Sequence, residues 1–272
     1  MVRRLAVVRY RGVCAGPLTG YAAPVQEESA SAWEAAALVA LSFAALMTAG
    51  VRLAAFGLGG TVLGEIVCVI VPTLVYLGVK RLPARAIGLG RVPPLATAGG
   101  VLFGAGAFYL VAVGLHAWVE RVWPTPPEVR EAMQRMVIPA AGARPLAVDI
   151  LALALVPAAA EELLFRGVLQ GALRARIGTA AAVIVTAIAF GLYHGSIYRF
   201  APAAFGGLLL GFVRAASGSL WPALAFHLAN NAGVIIAMHL GYETPPAGAR
   251  PVAVAAVASV LGLMLVVRRR AI

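Results

Sequence analysis

This sequence predicts an all-α, polytopic membrane protein of about eight transmembrane helices, and three observations carry that prediction. Of its 272 residues, 61% are hydrophobic and only 12% charged, with a mean hydropathy of +0.90. Soluble domains carry about a quarter charged residues, so the composition belongs to a chain that lives in lipid. Apolar runs near the length needed to cross a bilayer, about 20 residues, recur along the chain. The 22 Lys and Arg residues stand singly or in short groups at the ends of those runs, as membrane anchors do. That placement argues against nucleic acid as a partner despite the net charge of +11.

Residues 1–32 form a basic tail with Arg3, Arg4, Arg9 and Arg11, expected on the cytoplasmic side. Its apolar run is too short for a signal peptide. Cys14 follows Arg9 and Arg11 rather than an uninterrupted apolar segment, so a lipid-attachment box is not expected, and Cys14 and Cys68 make no metal-ligand or redox spacing. Residues 33–270 are expected to form a single transmembrane domain. Its runs are 33–49, extending toward 56; 62–79, closed by Lys80 and Arg81; 95–119; 146–169; 179–194; 200–213; 220–239; and 252–267, followed by Arg268, Arg269 and Arg270. Between the third and fourth runs, Val129, Ala132, Met133, Met136 and Val137 recur at helical spacing while Glu128, Arg130, Glu131 and Arg135 face elsewhere. That pattern suits an amphipathic helix on the membrane surface and equally a solvated connector.

With the amino terminus inside, the cytoplasmic side holds fifteen basic residues: the tail four, Lys80, Arg81, Arg85, Arg91, Arg166, Arg174, Arg176, Arg214 and the last three. The other side holds seven, namely Arg52, Arg121, Arg130, Arg135, Arg144, Arg199 and Arg250. The bias favours both termini in the cytoplasm, and a prokaryotic plasma membrane is the expected location.

Ionisable residues at bilayer depth are costly and mark function by default, and the fourth run carries three within P-A-A-A-E-E-L-L-F-R-G-V. On a helix, Glu162 and Arg166 stack at i and i+4 with the glutamate on the favoured N-terminal side. Glu161, turned by about 100 degrees, points elsewhere and is left free to handle protons. The fifth run ends F-G-L-Y-H, placing Phe190 and His194 on one face, and the seventh contains H-L-A-N-N, placing His227 and Asn231 on one face. A carboxylate can deprotonate water, a histidine can orient it or hold a metal, and a histidine with an amide can donate to a developing oxyanion. Structural roles suit the other polar residues: His116 and His239 as bonds between helices, Glu65 as a packing contact, Asp149 as a cap-region residue, and Asn230 as a bond between helices. Glu162 with Arg166 alone would also serve as a structural ion pair.

A two-aspartate protease is excluded because Asp149 is the only aspartate, a zinc helix of the H-E-x-x-H type is absent, and Ser217 sits at a segment edge beside Arg214. Glu161–Glu162 with Arg166, then Phe190 with His194, then His227 with Asn231 resemble, in order, the E-E-x-x-x-R, F-x-x-x-H and H-x-x-x-N motifs of the CAAX-protease and bacteriocin-processing family. That family is also called the type II CAAX prenyl endopeptidase or abortive-infection family, and the resemblance covers about 146–240. It implies about eight helices around an intramembrane catalytic cavity, and hydrolysis of a peptide bond in a membrane-associated protein, whether CAAX-type, bacteriocin-like or sorted. It further implies that Glu161 and His194 activate water, that His227 and Asn231 stabilise the oxyanion, and that Glu162, Arg166 and Phe190 support the site. Many such proteins are labelled metalloproteases. Glu161, His194 and His227 could bind Zn2+ with a fourth position open for water, and the residues equally suit a metal-free glutamate mechanism. The expected partners are the lipid bilayer and a peptide or protein substrate. The competing readings are a non-catalytic immunity or scaffold protein of the same fold and a transporter using the buried charges.

Overall fold

The computed structural model describes residues 30–131, 144–242 and 248–268, and they are helical with no strand among them. Residues 1–29 of the tail, residues 132–143 of the expected amphipathic segment, and Arg269 and Arg270 lie outside the described residues. Eight longer helices follow one another: α1 (Ala32–Ala54), α2 (Gly57–Val79), α3 (Pro94–Val122), α4 (146–177), α5 (Thr179–Tyr193), α6 (Ile197–Ser217), α7 (Leu220–His239) and α8 (Ala249–Val267). Six of them are long and apolar enough to cross a membrane. The other two are α4, whose charges set it apart, and α5, an apolar helix of only 15 residues.

Large apolar side chains such as Leu41, Val75, Val254 and Met264 are exposed all around the bundle. On a soluble protein such a surface would aggregate; here it is the lipid-facing side, and the interior mixes small and polar residues with large ones such as Leu164, Phe165 and Phe226. Two glycines show how close the helices come. A methyl group at Gly100 or Gly104 of α3 would collide with the carbonyl of Pro222 or Phe226, so α3 lies backbone against backbone on α7 next to His227.

Three helices depart from the expected bounds, and the first, α2, begins at Gly57 rather than 62. α4 continues past 169 to 177, where Gly178 at φ 78° ends it. At 1.5 Å per residue it is about 48 Å long, more than the hydrocarbon core, and it carries Arg174 and Arg176 at its far end. Over Glu162–Leu169 its hydrogen bonds widen, so that the N–H of Gln170 bonds back five residues to Phe165; such widened turns recur at functional sites. α6 spans Ile197–Ser217 rather than 200–213, with Arg199 and Arg214 inside it.

Side-chain bonds give the relative directions. Arg166 reaches the carbonyl of Gly207 and Gln170 that of Gly211, a constant offset, so α4 and α6 run parallel. Glu162 pairs with His227, whereas Asp149, earlier on α4, pairs with His239, later on α7, so α4 and α7 run antiparallel.

Candidate active site

α4 and α5 form a hairpin about Gly178, and Glu161 and His194 lie at nearly equal distances along the chain from that turn, which brings them to one level. Gly195 follows at φ 62°, a left-handed conformation that costs glycine little, and it turns the chain sharply into α6. His194 thus stands at the end of one helix facing the start of the next.

The centre of the cluster is Glu162, fully buried. Its Oε1 accepts from Arg166 Nη1 at 2.8 Å and from His227 Nδ1 at 2.9 Å. Arg166, also fully buried, donates its second nitrogen to the Gly207 carbonyl at 3.1 Å and lies 4.3 Å from the Phe190 ring centroid, a cation–π contact. One guanidinium therefore joins α4, α5 and α6, and one carboxylate joins α4 to α7. The Phe190 ring also meets His194 and His227 edge-on, with centroids at 4.9 and 5.8 Å.

The backbone and carboxylate acceptors settle which histidine nitrogens hold hydrogen. His194 Nδ1 lies 2.8 Å from the Phe190 carbonyl, which can only accept, so Nδ1 donates and Nε2 is free. His227 Nδ1 likewise donates to Glu162, and its Nε2 faces Glu161 Oε2 at 3.7 Å. Both imidazoles are thereby fixed by a partner on one nitrogen and available on the other. Glu161 itself is nearly buried, its side chain 13% exposed.

Beside this cluster lies a cavity of about 710 Å³, walled by one face each of α3, α6 and α7. Phe190, His194, His227 and Asn231 border it. So does Asn230, whose amide donates to Asn231 Oδ1 at 3.3 Å. With its oxygen so occupied, Asn231 has its NH₂ group available as a donor. Asn230, expected to bond between helices, instead orients its neighbour; a helical wheel alone puts it on another face. Arg199, counted from sequence among the membrane-edge charges, also borders the cavity and lies within electrostatic range of Glu161 and His194.

Glu65 of α2 has a buried oxygen without a partner among the described residues and feels the charge of Glu161, so it lies near the cluster. Asp149, expected near a cap, makes no cap bond. It is buried between Arg144, at 2.7 Å, and His239, at 3.3 Å. His116 borders the far end of the cavity with Glu120, Thr125 and Arg130, and Arg130 donates to Glu120 at 3.1 Å.

Glu161, His194 and His227 have the donor chemistry of a zinc site: one carboxylate and two free Nε2 atoms, each imidazole held from behind. Ligands about 2.0–2.2 Å from a metal bring their donor atoms to roughly 3.3 Å of one another. His227 Nε2 and Glu161 Oε2 are further apart than that, and among the described residues no group of three His, Cys, Asp or Glu side chains is arranged to hold an ion. As they stand, these residues do not fit a three-ligand metal centre.

Residues 143–233 match the model of a protein family described as type II CAAX prenyl endopeptidase Rce1-like. No curated protein and no solved structure matches the chain. The matched stretch contains the whole cluster, from Glu161 through Asn231, and over it this integral membrane chain is similar to the Rce1-like family of CAAX-type proteases.

Proposed function

We propose that this protein is an intramembrane endopeptidase in which Glu161 activates water against a peptide bond held in the α3–α6–α7 cavity. The observation that carries the reading is the fixed orientation of the two histidines, each committed through Nδ1, with His227 Nε2 turned to Glu161 Oε2 at 3.7 Å and Glu161 within electrostatic range of His194. A water between Glu161 and His194 Nε2 gives one hydrogen to each acceptor and turns its oxygen lone pair toward the substrate carbonyl. Glu161 takes the proton as the new C–O bond forms. The carbonyl oxygen becomes an oxyanion facing the Asn231 amide and, when His227 carries its second proton, the His227 Nε2–H. The C–N bond then breaks, and Glu161 returns the proton to the leaving amine. Glu162, Arg166 and Phe190 touch no reacting atom in this scheme; they hold His227 and the meeting of four helices in place.

The proposed substrate is a peptide segment of a membrane-associated protein, of CAAX, bacteriocin or sorted type. The largely apolar cavity bordered by His194, His227 and Asn231 supports that choice. The proposed setting is a prokaryotic plasma membrane with both termini in the cytoplasm, supported by the distribution of basic residues. The test is purified protein in liposomes, given prenylated and unprenylated peptides with and without chelator, with products identified by mass. We expect cleavage that survives chelation and disappears in Glu161→Gln. Full cleavage by Glu161→Gln would end the proposal. Loss of wild-type cleavage on chelation would move the chemistry to a zinc ion held by Glu161, His194 and His227 after their side chains rotate together.

A further inference from the structure

The cavity holds one cation that the proposed chemistry leaves unused. Among the charged residues that border it, Glu120 and Arg130 bond to each other. The Arg199 side chain has no hydrogen bond and no ion pair among the described residues; only its backbone N–H bonds, to the Ser196 carbonyl. Among the described residues its electrostatic neighbours are Glu161 and His194, and Glu161 is too far for an ion pair.

Position makes this guanidinium a receptor rather than an anchor. Tyr198, Arg199, Pro202, Ala203, Gly206, Leu209 and Leu210 recur at helical spacing as the face of α6 that borders the cavity. Arg199, an exposed residue, therefore shares a wall with substrate space. Below it that wall is built of Pro202, Ala203 and Gly206, small residues that leave room for an apolar chain on the way to His194 and Asn231. Arg199 also lies in the first turn of α6, where the helix dipole disfavours a cation, so its placement costs stability unless an anion arrives. A planar guanidinium with several donors is the geometry that grips a carboxylate with two parallel bonds.

We propose that Arg199 is a specificity-determining residue that binds a carboxylate of the peptide substrate inside the cavity. The proposal rests on the endopeptidase reading and names the substrate chemistry that reading leaves open. The carboxylate comes either from a free carboxyl terminus close to the cleaved bond or from an acidic side chain at the same distance; the receptor is the same for both. Bound there, the anion lies near Glu161 without touching it and fixes how far the peptide enters, and thereby which bond meets the water.

The test uses the full-length His194→Ala protein in detergent, which binds without turning over, and a fluorescent farnesylated peptide with apolar terminal residues. The peptide is made as the free acid, as the terminal amide, and as the amide with one of those residues replaced by glutamate. The free acid or the glutamate peptide should bind about 10–100-fold more tightly than the plain amide, the range of a charge-assisted hydrogen bond. Whichever of the two binds tightly identifies the source of the carboxylate. Adding Arg199→Gln should abolish the preference with the melting temperature unchanged, and Arg199→Lys should restore part of it. Equal binding of all three peptides, or a preference that survives Arg199→Gln, would overturn the proposal. Because binding is read separately, selective binding with no cleavage by the wild-type protein would sink the endopeptidase reading alone, and cleavage without selectivity would sink this one alone.

Discussion

Two sets of the same chemistry, a carboxylate, a histidine and an arginine, join the same two helices. Deep in the bundle, Glu162 of α4 meets His227 of α7 and Arg166; near the other end of α4, Asp149 meets His239 of α7 and Arg144. They are thirteen residues apart on α4 and twelve on α7, about 18–20 Å at helical rise. The difference between them lies in how each histidine is used. His227 gives Nδ1 to the carboxylate and keeps Nε2 for Glu161 and the cavity. His239 gives Nδ1 to the Ile235 carbonyl of its own helix and turns Nε2 to Asp149, so neither nitrogen is left for another partner. The surroundings differ too, since Arg166 is fully buried whereas the side chains of Arg144 and His239 are 25% and 32% exposed. A carboxylate–histidine–arginine set is therefore a fastener by default; it becomes a chemical site where the histidine keeps a free nitrogen and a second carboxylate stands beside it.

Breaking the two sets in parallel sharpens this contrast. The largest effect on stability should come from Arg166→Met, which strands Glu162 in the interior and should cost about 3–5 kcal/mol, read as a lowered melting temperature in detergent and poor yield. Arg144→Met, at the partly hydrated set, should cost about 1 kcal/mol in the same assay. Asn231→Ala should melt like wild type yet lower kcat by about 10²–10³-fold, the usual loss of one oxyanion donor. Asn230→Ala should lower it less, because Asn230 only orients that amide. Gly207→Ala places a methyl group 3.1 Å from the Ala187 Cα and the Phe190 ring, and should cost about 1–3 kcal/mol by pushing α6 off α5. The smallest effect is expected at the lipid-water edge, where Lys80→Gln breaks an exposed pair with Glu34 and should leave melting and cleavage unchanged.

Local spacing made the inner set partly legible in the sequence. The i, i+4 rule pairs Glu162 with Arg166 and aligns Phe190 with His194, because both contacts lie within one helix. Helix existence and order were legible as well, since each expected run falls on a helix, although only six of these helices are long and apolar enough to cross a membrane, α2 starts five residues early, and α4 and α6 run on through basic residues that an apolar ruler stops at. Contacts between helices were not legible. His227 reaches Glu162 across 65 residues of chain, and Arg166 reaches a backbone carbonyl on α6 that no side-chain pattern marks. Asp149 and His239 each looked unremarkable because their meaning lies in the antiparallel register of α4 and α7. Arg199 escaped for a related reason: a cation at a helix end looks the same in sequence whether it faces lipid headgroups or a cavity.

The contrast between the two sets is tested most directly by one experiment: cleavage of the same reconstituted peptide by Glu161→Gln and by Asp149→Asn, with melting temperatures measured alongside. Glu161→Gln should fall below about one-hundredth of wild-type kcat while melting normally, the loss expected of a general base. Asp149→Asn should cleave like wild type while melting at a lower temperature. Substantial cleavage by Glu161→Gln, or loss of cleavage in an Asp149→Asn protein that melts normally, would contradict the account.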